Sequence, residues 1–276
     1  MKHSFLLLLI FSAPFLVSAQ QTGKHTKKQE QAARKKYLDA IAKKEEEGAI
    51  VFDKSDVFGI KLNTDGYGLF FEHAKFKTMK KNRLWWFELG ERKDPKEKRI
   101  TLDDGMGGAK GNSFIYGKIN NFYYCKFGLG NQVPIGGKAN KNGVAVSAIY
   151  GGGGVLAMMK PYCLQAWDTT QQQEIQIRYN QSAYHNTLFL DTKDGYLIGG
   201  SAFGSGFDKI SFTPGIFART ALRFDWEHFN TGITAVEVGL NAELYTQKVH
   251  IMADNPKNNF FFNAYVSIVF GGRKLR

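Results

Sequence analysis

Cysteine and proline are scarce: the 276-residue chain holds 2 Cys and 6 Pro. With only Cys125 and Cys163 to pair, no disulfide framework can organise the fold. An oxidising compartment would permit a bridge between them, but strand register decides whether they meet; otherwise both serve as small apolar side chains. Long apolar runs are missing too. After the first nineteen residues none approaches the roughly 20 residues of a membrane-spanning helix, so any membrane-embedded part must be built from strands.

Catalytic motifs are equally sparse. Gly105–Gly111 is glycine-rich, yet no Lys-Ser/Thr pair and no helical pattern follow it, which excludes a phosphate-cradling loop. His73 beside Glu72 and His228 beside Glu227 are strand neighbours that point to opposite faces, while His185 and His250 stand singly on predicted loops. No His/Cys/carboxylate spacing suits a metal. The sequence therefore assigns no catalytic, cofactor-binding or metal-ligating residue, and the chain reads as a non-enzyme.

What is abundant is glycine and aromatic residues, with 30 Gly, 23 Phe and 12 Tyr. The mean hydropathy is −0.31, which suits strands whose lipid-facing residues alternate with polar ones. A basic start at Lys2, an apolar run from Phe5 to Val17 and small residues at Ser18-Ala19 predict a secretory leader over 1–19. No Cys follows the predicted cleavage point, which argues against a lipid anchor. Export makes nucleic acid an unsuitable partner for the net charge of +12; lipopolysaccharide, other outer-membrane lipids and acidic proteins are the expected counterparts.

Residues 20–55 form a charged extension, with a helix expected over Gln20–Gly48. Ala33, Tyr37 and Ile41 make a narrow apolar stripe, but basic residues at its start and acidic ones at its end oppose the helix dipole.

From Asp56 onward the period changes to two. In Asn259–Phe270, residues Phe260, Phe262, Ala264, Val266, Ile268 and Phe270 share an apolar face, a strand signature. Further strands are expected near 57–63, 67–77, 83–91, 113–130, 143–163, 216–229 and 232–248. The Asp65-Gly66 pair marks a hairpin, the Trp85-Trp86 pair an interfacial aromatic girdle, and Gly151–Gly154 a bend in the fifth strand. The 164–215 segment departs longest from the pattern and is expected to be an extracellular loop with its own hairpin, including short strand-like pieces at Glu174–Tyr179 and Thr187–Leu190.

These elements predict an all-β, antiparallel transmembrane β-barrel over 56–276 behind a short N-terminal periplasmic helix; it has eight strands, unless Val57–Lys77 is one long strand, in which case 164–215 hides another or the count rises to ten. An eight-stranded barrel is filled by side chains. Its interior is expected to hold Glu72, Glu88, Lys118, Lys126, Arg219, Arg223, Asp225, Glu227, Glu237 and Glu243, paired across strands because buried charges demand partners.

The runs KLNTDGYGLFFEHAKF (61–76), ELGERKDPKEKR (88–99), YGKINNFYYCKFGLG (116–130) and NKNGVAVSAIYGGGG (140–154) resemble an uncharacterised outer-membrane β-barrel family of the Bacteroidota. The likeness covers most of 57–163 and, more weakly, the final strands. It implies a location and a fold but no catalytic residues, and it suggests an accessory subunit of a larger envelope machine. The expected function is thus a non-enzymatic outer-membrane barrel that binds a protein partner through its loops and N-terminal extension. A small transport or ligand-binding barrel is the alternative, and a lipid-modifying enzyme a more distant third.

Overall fold

Alternation of apolar and polar residues gives long strands, and pairing them edge to edge closes the sheet. The computed structural model describes residues 27–46, 52–78, 81–103, 106, 108–136, 143–169, 172–191, 196–226 and 232–275. In chain order it contains α1 (Lys27–Glu46), β1 (Phe52–Asn63), β2 (Gly66–Thr78), β3 (Lys81–Arg92), β4 (Arg99–Asp103), β5 (Ala109–Ile115), β6 (Asn120–Gly136), β7 (Ala145–Pro161), β8 (Cys163–Asp168), β9 (Gln173–Arg178), α2 (Ala183–Leu190), β10 (Leu197–Gly200), β11 (Ser211–Asp225), β12 (Gly232–Val249) and β13 (Asn258–Leu275).

Eight of these strands form a closed antiparallel barrel in the order β1-β13-β12-β11-β7-β6-β3-β2. A ladder row started at Lys54 passes through Lys75, Arg83, Asn131, Tyr150, Thr220, Leu240 and Ala264, whose carbonyl accepts from the Thr64 N–H, so it returns to β1 ten residues further along. That stagger is the shear that tilts the strands of a closed barrel.

Phe52 pairs with Leu275, which fixes one rim as the terminal end. Short connections (79–80, 137–144, 226–231) leave this end, while 93–119, 162–210 and 250–257 all emerge at the other, the loop end.

The wall is apolar outside and polar inside. Phe260, Phe262, Val266, Ile268 and Phe270 are exposed, whereas Asn263, Tyr265, Ser267 and Val269 between them are buried. This inside-out arrangement belongs to a barrel that spans a bilayer. The Trp pair divides accordingly: Trp85 faces outward and Trp86 is fully buried in the lumen.

Leu240 lies mid-strand on the outer face, opposite Thr220 and Ala264, and is 42% exposed to what would be hydrocarbon. Leu240→Arg should destabilise the barrel by about 2–4 kcal/mol. Heat-modifiable gel mobility after refolding reads this directly, and normal folding of the variant would overturn the outward assignment.

Several expectations need correction. The glycines 151–154 do not interrupt β7, whose pairing with both β6 and β11 is regular through them; the one register shift against β6 lies near the terminal rim, between Pro134 and Gly136. Gly128, Gly130 and Gly151 instead leave room for Trp86, since a Cβ at each would lie within 3 Å of its ring. The strand expected from Ser113 starts at Asn120, because Gly117 adopts a left-handed φ of +68° and turns the chain first. Thr187–Leu190 belongs to α2, capped by Ser182, whose hydroxyl accepts from the His185 N–H. The barrel begins at Phe52, four residues before Asp56. The tight turn that Asn230-Thr231 predicts and the turn that Thr192-Lys193-Asp194-Gly195 predicts lie outside the described residues.

α1 is a 20-residue helix built from good helix formers. Its residues 30–37, 39 and 40 are exposed, including Ala33 and Tyr37 of the expected stripe; residues 20–26, 47 and 48 of the expected Gln20–Gly48 helix lie outside the described residues.

Candidate functional site

The period-two pattern turns every second polar residue of the wall into the lumen, where each needs a partner. Two linked clusters result. In the first, Arg223 donates through Nη1 and Nη2 to the two oxygens of Glu72 at 2.7 and 3.0 Å, and through Nε and Nη2 to Glu237 Oε2 at 3.0 and 2.8 Å. Arg219 pairs with the other Glu237 oxygen and donates from Nε to the Tyr265 hydroxyl at 2.8 Å; Tyr265 in turn donates to Glu237 at 2.5 Å. Bidentate guanidinium–carboxylate contacts of this kind are the strong, geometrically specific ones.

The second cluster lies nearer the loop end. Lys61 pairs with Glu88, and Lys126 bridges Glu88 at 3.5 Å and Glu243 at 2.8 Å. Arg92 meets Glu243 at 2.8 Å and Asp65 at 2.6 Å, while Tyr245 donates to Glu243 at 2.7 Å. Aromatic rings line the same space: Lys61 sits 4.3 Å from the Tyr265 ring, Lys126 4.2 Å from Tyr124 and Arg92 4.4 Å from Phe261. Five cations (Lys61, Arg92, Lys126, Arg219, Arg223) thus meet five carboxylates (Asp65, Glu72, Glu88, Glu237, Glu243). Among the described residues of these two clusters the charges balance.

Of the ten residues expected inside, the structure brings together Glu72, Glu88, Lys126, Arg219, Arg223, Glu237 and Glu243. Asp225 lies on the inner wall at the terminal rim, 2.5 Å from Arg273. Lys118 is not in the wall: it follows the Gly117 turn at the loop end and pairs with Glu97 at 2.8 Å. Glu227 lies outside the described residues. Sequence reasoning missed Lys61 and Arg92, although each alternates with the outward apolar residues of its own strand (Ile60 and Leu62; Leu89). It also missed Asp65, which sits in a turn where periodicity says nothing.

Above the lumen the two long loops build a cap with its own apolar core. β10, β8 and β9 form a three-stranded sheet, β4 and β5 a hairpin. Phe114, Leu164, Ala166, Ile177, Leu188, Phe189 and Leu197 pack between them. Thus the hairpin expected in this segment is β8–β9, and a second sheet and a helix accompany it. The base is stitched to the rim: the Ile119 N–H donates to the Ile251 carbonyl at 2.8 Å, the Tyr162 N–H to Ile119 at 2.7 Å, and Asn120 Nδ2 to the His250 carbonyl at 2.7 Å.

On the cap surface Phe203 and Phe207 stack edge to face at 5.8 Å, with the Lys160 ammonium 4.3 Å from each ring. The ammonium also donates to the Phe203 carbonyl at 2.6 Å, so the pair is held in place yet exposed.

Among the described residues, the Ser, His and Cys side chains weighed above do not come together as a catalytic grouping. Ser182 Oγ lies 2.7 Å from His185 Nδ1, but it is the cap of α2 and both groups are exposed. His73 faces outward, away from the inward Glu72, and contacts Asp56 at 2.5 Å. Cys125 and Cys163 are free thiols; burial pushes the Cys163 thiol up and so keeps it protonated. Burial also lowers the pKa of His250, which favours its neutral form. Among the described residues no group of three His, Cys, Asp or Glu is placed to hold a metal.

No family model and no curated protein matches the chain, so the Bacteroidota resemblance rests on the quoted runs alone. Among solved structures, the attachment invasion locus protein Ail of Yersinia pestis aligns at 8% identity over 82% of this chain and 100% of its own, with a TM-score of 0.35. The N-terminal β-barrel domain of Pseudomonas aeruginosa OprF aligns at 8% identity, 80% and 99% coverage and a TM-score of 0.32. Neisserial surface protein A gives 7%, 80%, 95% and 0.33. At these scores the barrel assignment stands on the ladder pairing within this chain.

Proposed function

We propose that this protein is an integral outer-membrane barrel without enzymatic activity, which acts as an accessory subunit and binds a protein partner through its cap and its N-terminal extension. One observation carries the reading: the lumen is filled by a neutral, paired charge network, while the loop end carries a cored cap instead of loose loops. A sealed wall that supports a structured platform suits display to a partner. The Phe203–Phe207 pair, anchored by Lys160, has the character of an aromatic hot spot. In this reading the leader delivers the chain, the terminal end faces the periplasm with the 20–55 extension, the cap faces outward, and membrane lipid and lipopolysaccharide surround the wall.

The test is a mild-detergent pull-down of the full chain from isolated outer membranes, followed by mass spectrometry. The expected result is a stoichiometric protein companion. It should be lost from the Phe203→Ala/Phe207→Ala variant, which should keep wild-type heat-modifiable mobility. A barrel recovered alone would overturn the subunit reading in favour of a ligand-binding or transport barrel.

A further inference from the structure

The outer wall at the terminal end carries an unusual ladder row. Lys274 of β13 pairs with Lys54 of β1, Lys54 with Lys75 of β2, and Lys75 with Arg83 of β3. Directly opposed residues on antiparallel strands share a face and lie about 5 Å apart, and like charges so placed repel. Four cations in one row across four adjacent strands therefore call for anions. The protein supplies few: Asp53 lies 4.0 Å from Lys54, and Asp56 lies 3.1 Å from Lys274 while also pairing with His73. Lys75 and Arg83 make no ion pair with any described residue.

At the Lys75–Arg83 end the row opens into a groove of about 780 Å³ lined by His73, Lys75, Lys81, Arg83, Trp85 and Leu129. Its floor is aromatic. The Trp85 ring lies 5.6 Å from Phe71, 5.7 Å from His73 and 6.1 Å from Phe127. Two rungs further from the terminal rim comes a row of phenylalanines, Phe270, Phe58, Phe71, Phe87 and Phe127, again opposed strand by strand. Cations, then an indole, then an apolar belt is the order met along a lipid from phosphate to acyl chain. The loop end of the same wall lacks it: there the row reads Val266, Leu62, Tyr67, Glu91, Tyr123, with a carboxylate where the other end has cations.

We propose that this groove binds the phosphate headgroup of an anionic glycerophospholipid, with Lys75 and Arg83 holding the phosphate and Trp85 packed beside the glycerol and upper acyl chains. The proposal rests on the membrane reading above, which puts the terminal end in the periplasmic leaflet, away from lipopolysaccharide. The occupant completes the wall by supplying the negative charge that the row lacks.

The full chain is first refolded into phosphatidylcholine vesicles, and insertion is checked by flotation and heat-modifiable mobility. Failure to insert would sink the membrane reading itself. The inserted protein is then extracted in neutral detergent and titrated with phosphatidylglycerol, phosphatidylcholine or lipid A under native mass spectrometry. Wild type should retain phosphatidylglycerol at least tenfold better than phosphatidylcholine. Lys75→Gln/Arg83→Gln should lose that preference, whereas Lys209→Gln/Lys248→Gln, which removes two cations elsewhere, should keep it. Equal retention by wild type and the Lys75/Arg83 variant, or lipid A bound as tightly as phosphatidylglycerol, would overturn the proposal while leaving the barrel in its membrane.

Discussion

Replacing Glu237 with leucine will cost the barrel about 3–5 kcal/mol, a large share of the roughly 5–15 kcal/mol by which a typical domain is stable. Glu237 is completely buried and is the carboxylate that both Arg219 and Arg223 share. Without it two guanidinium groups remain in the lumen with Glu72 as their nearest counter-charge, at 3.7 Å from Arg219, and Tyr265 loses its acceptor. Breaking one partner of a buried network costs more than the network contributes, because the remaining charges stay desolvated. Glu237→Gln keeps an acceptor for Tyr265 and should cost less than the leucine variant. Urea titration of the refolded protein, followed by tryptophan fluorescence and heat-modifiable mobility, measures both. A leucine variant as stable as wild type would mean that the network is dispensable to the fold.

Trp86→Ala should lower stability by a similar amount, about 3–5 kcal/mol. The ring is entirely buried, packs edge to face on Phe217 at 5.9 Å and lies 5.0 Å from the Arg219 guanidinium. Gly128, Gly130 and Gly151 face it, so on that side there is no side chain to swing into the space. Trp86→Phe should be far milder, since the indole Nε1 has no acceptor among the described residues and no hydrogen bond is lost. The same urea titration separates the two variants, and equal costs would show that the ring's volume is not what matters.

How far the sequence could be read depended on whether a residue's neighbours repeat. In β11 and β12, Ile216 to Phe224 and Val236 to Leu244 alternate so regularly that facing follows from parity, and Arg219, Arg223, Glu237 and Glu243 are placed by it. Parity fails where the chain turns. The rhythm of β6 carried back past Asn120 puts Lys118 inside, but the strand begins only at Asn120 and Lys118 still belongs to the turn that the left-handed Gly117 makes. The run Thr187-Leu188-Phe189-Leu190 is too short for period two and period 3.6 to differ; the better signal was Ser182 at the cap. The cap as a whole was illegible for a deeper reason. Its strands are four to seven residues long, and its core gathers residues from segments some eighty positions apart, Phe114 to Leu197.

Every neighbour relation around the wall joins strands that follow one another among the eight, with one exception. The contact between β1 and β13 brings together Phe52 and Leu275, the two ends of the barrel's chain. Hairpins can therefore zip in order as the polypeptide arrives, each closing a local loop, whereas the last edge must wait for the whole sheet and bears the largest closure entropy. The seam is consequently the final step of assembly and the natural place for the cylinder to part. It is also where Phe58 meets Phe270 and Lys54 meets Lys274, so the belt and the cation row are both completed only when the cylinder shuts.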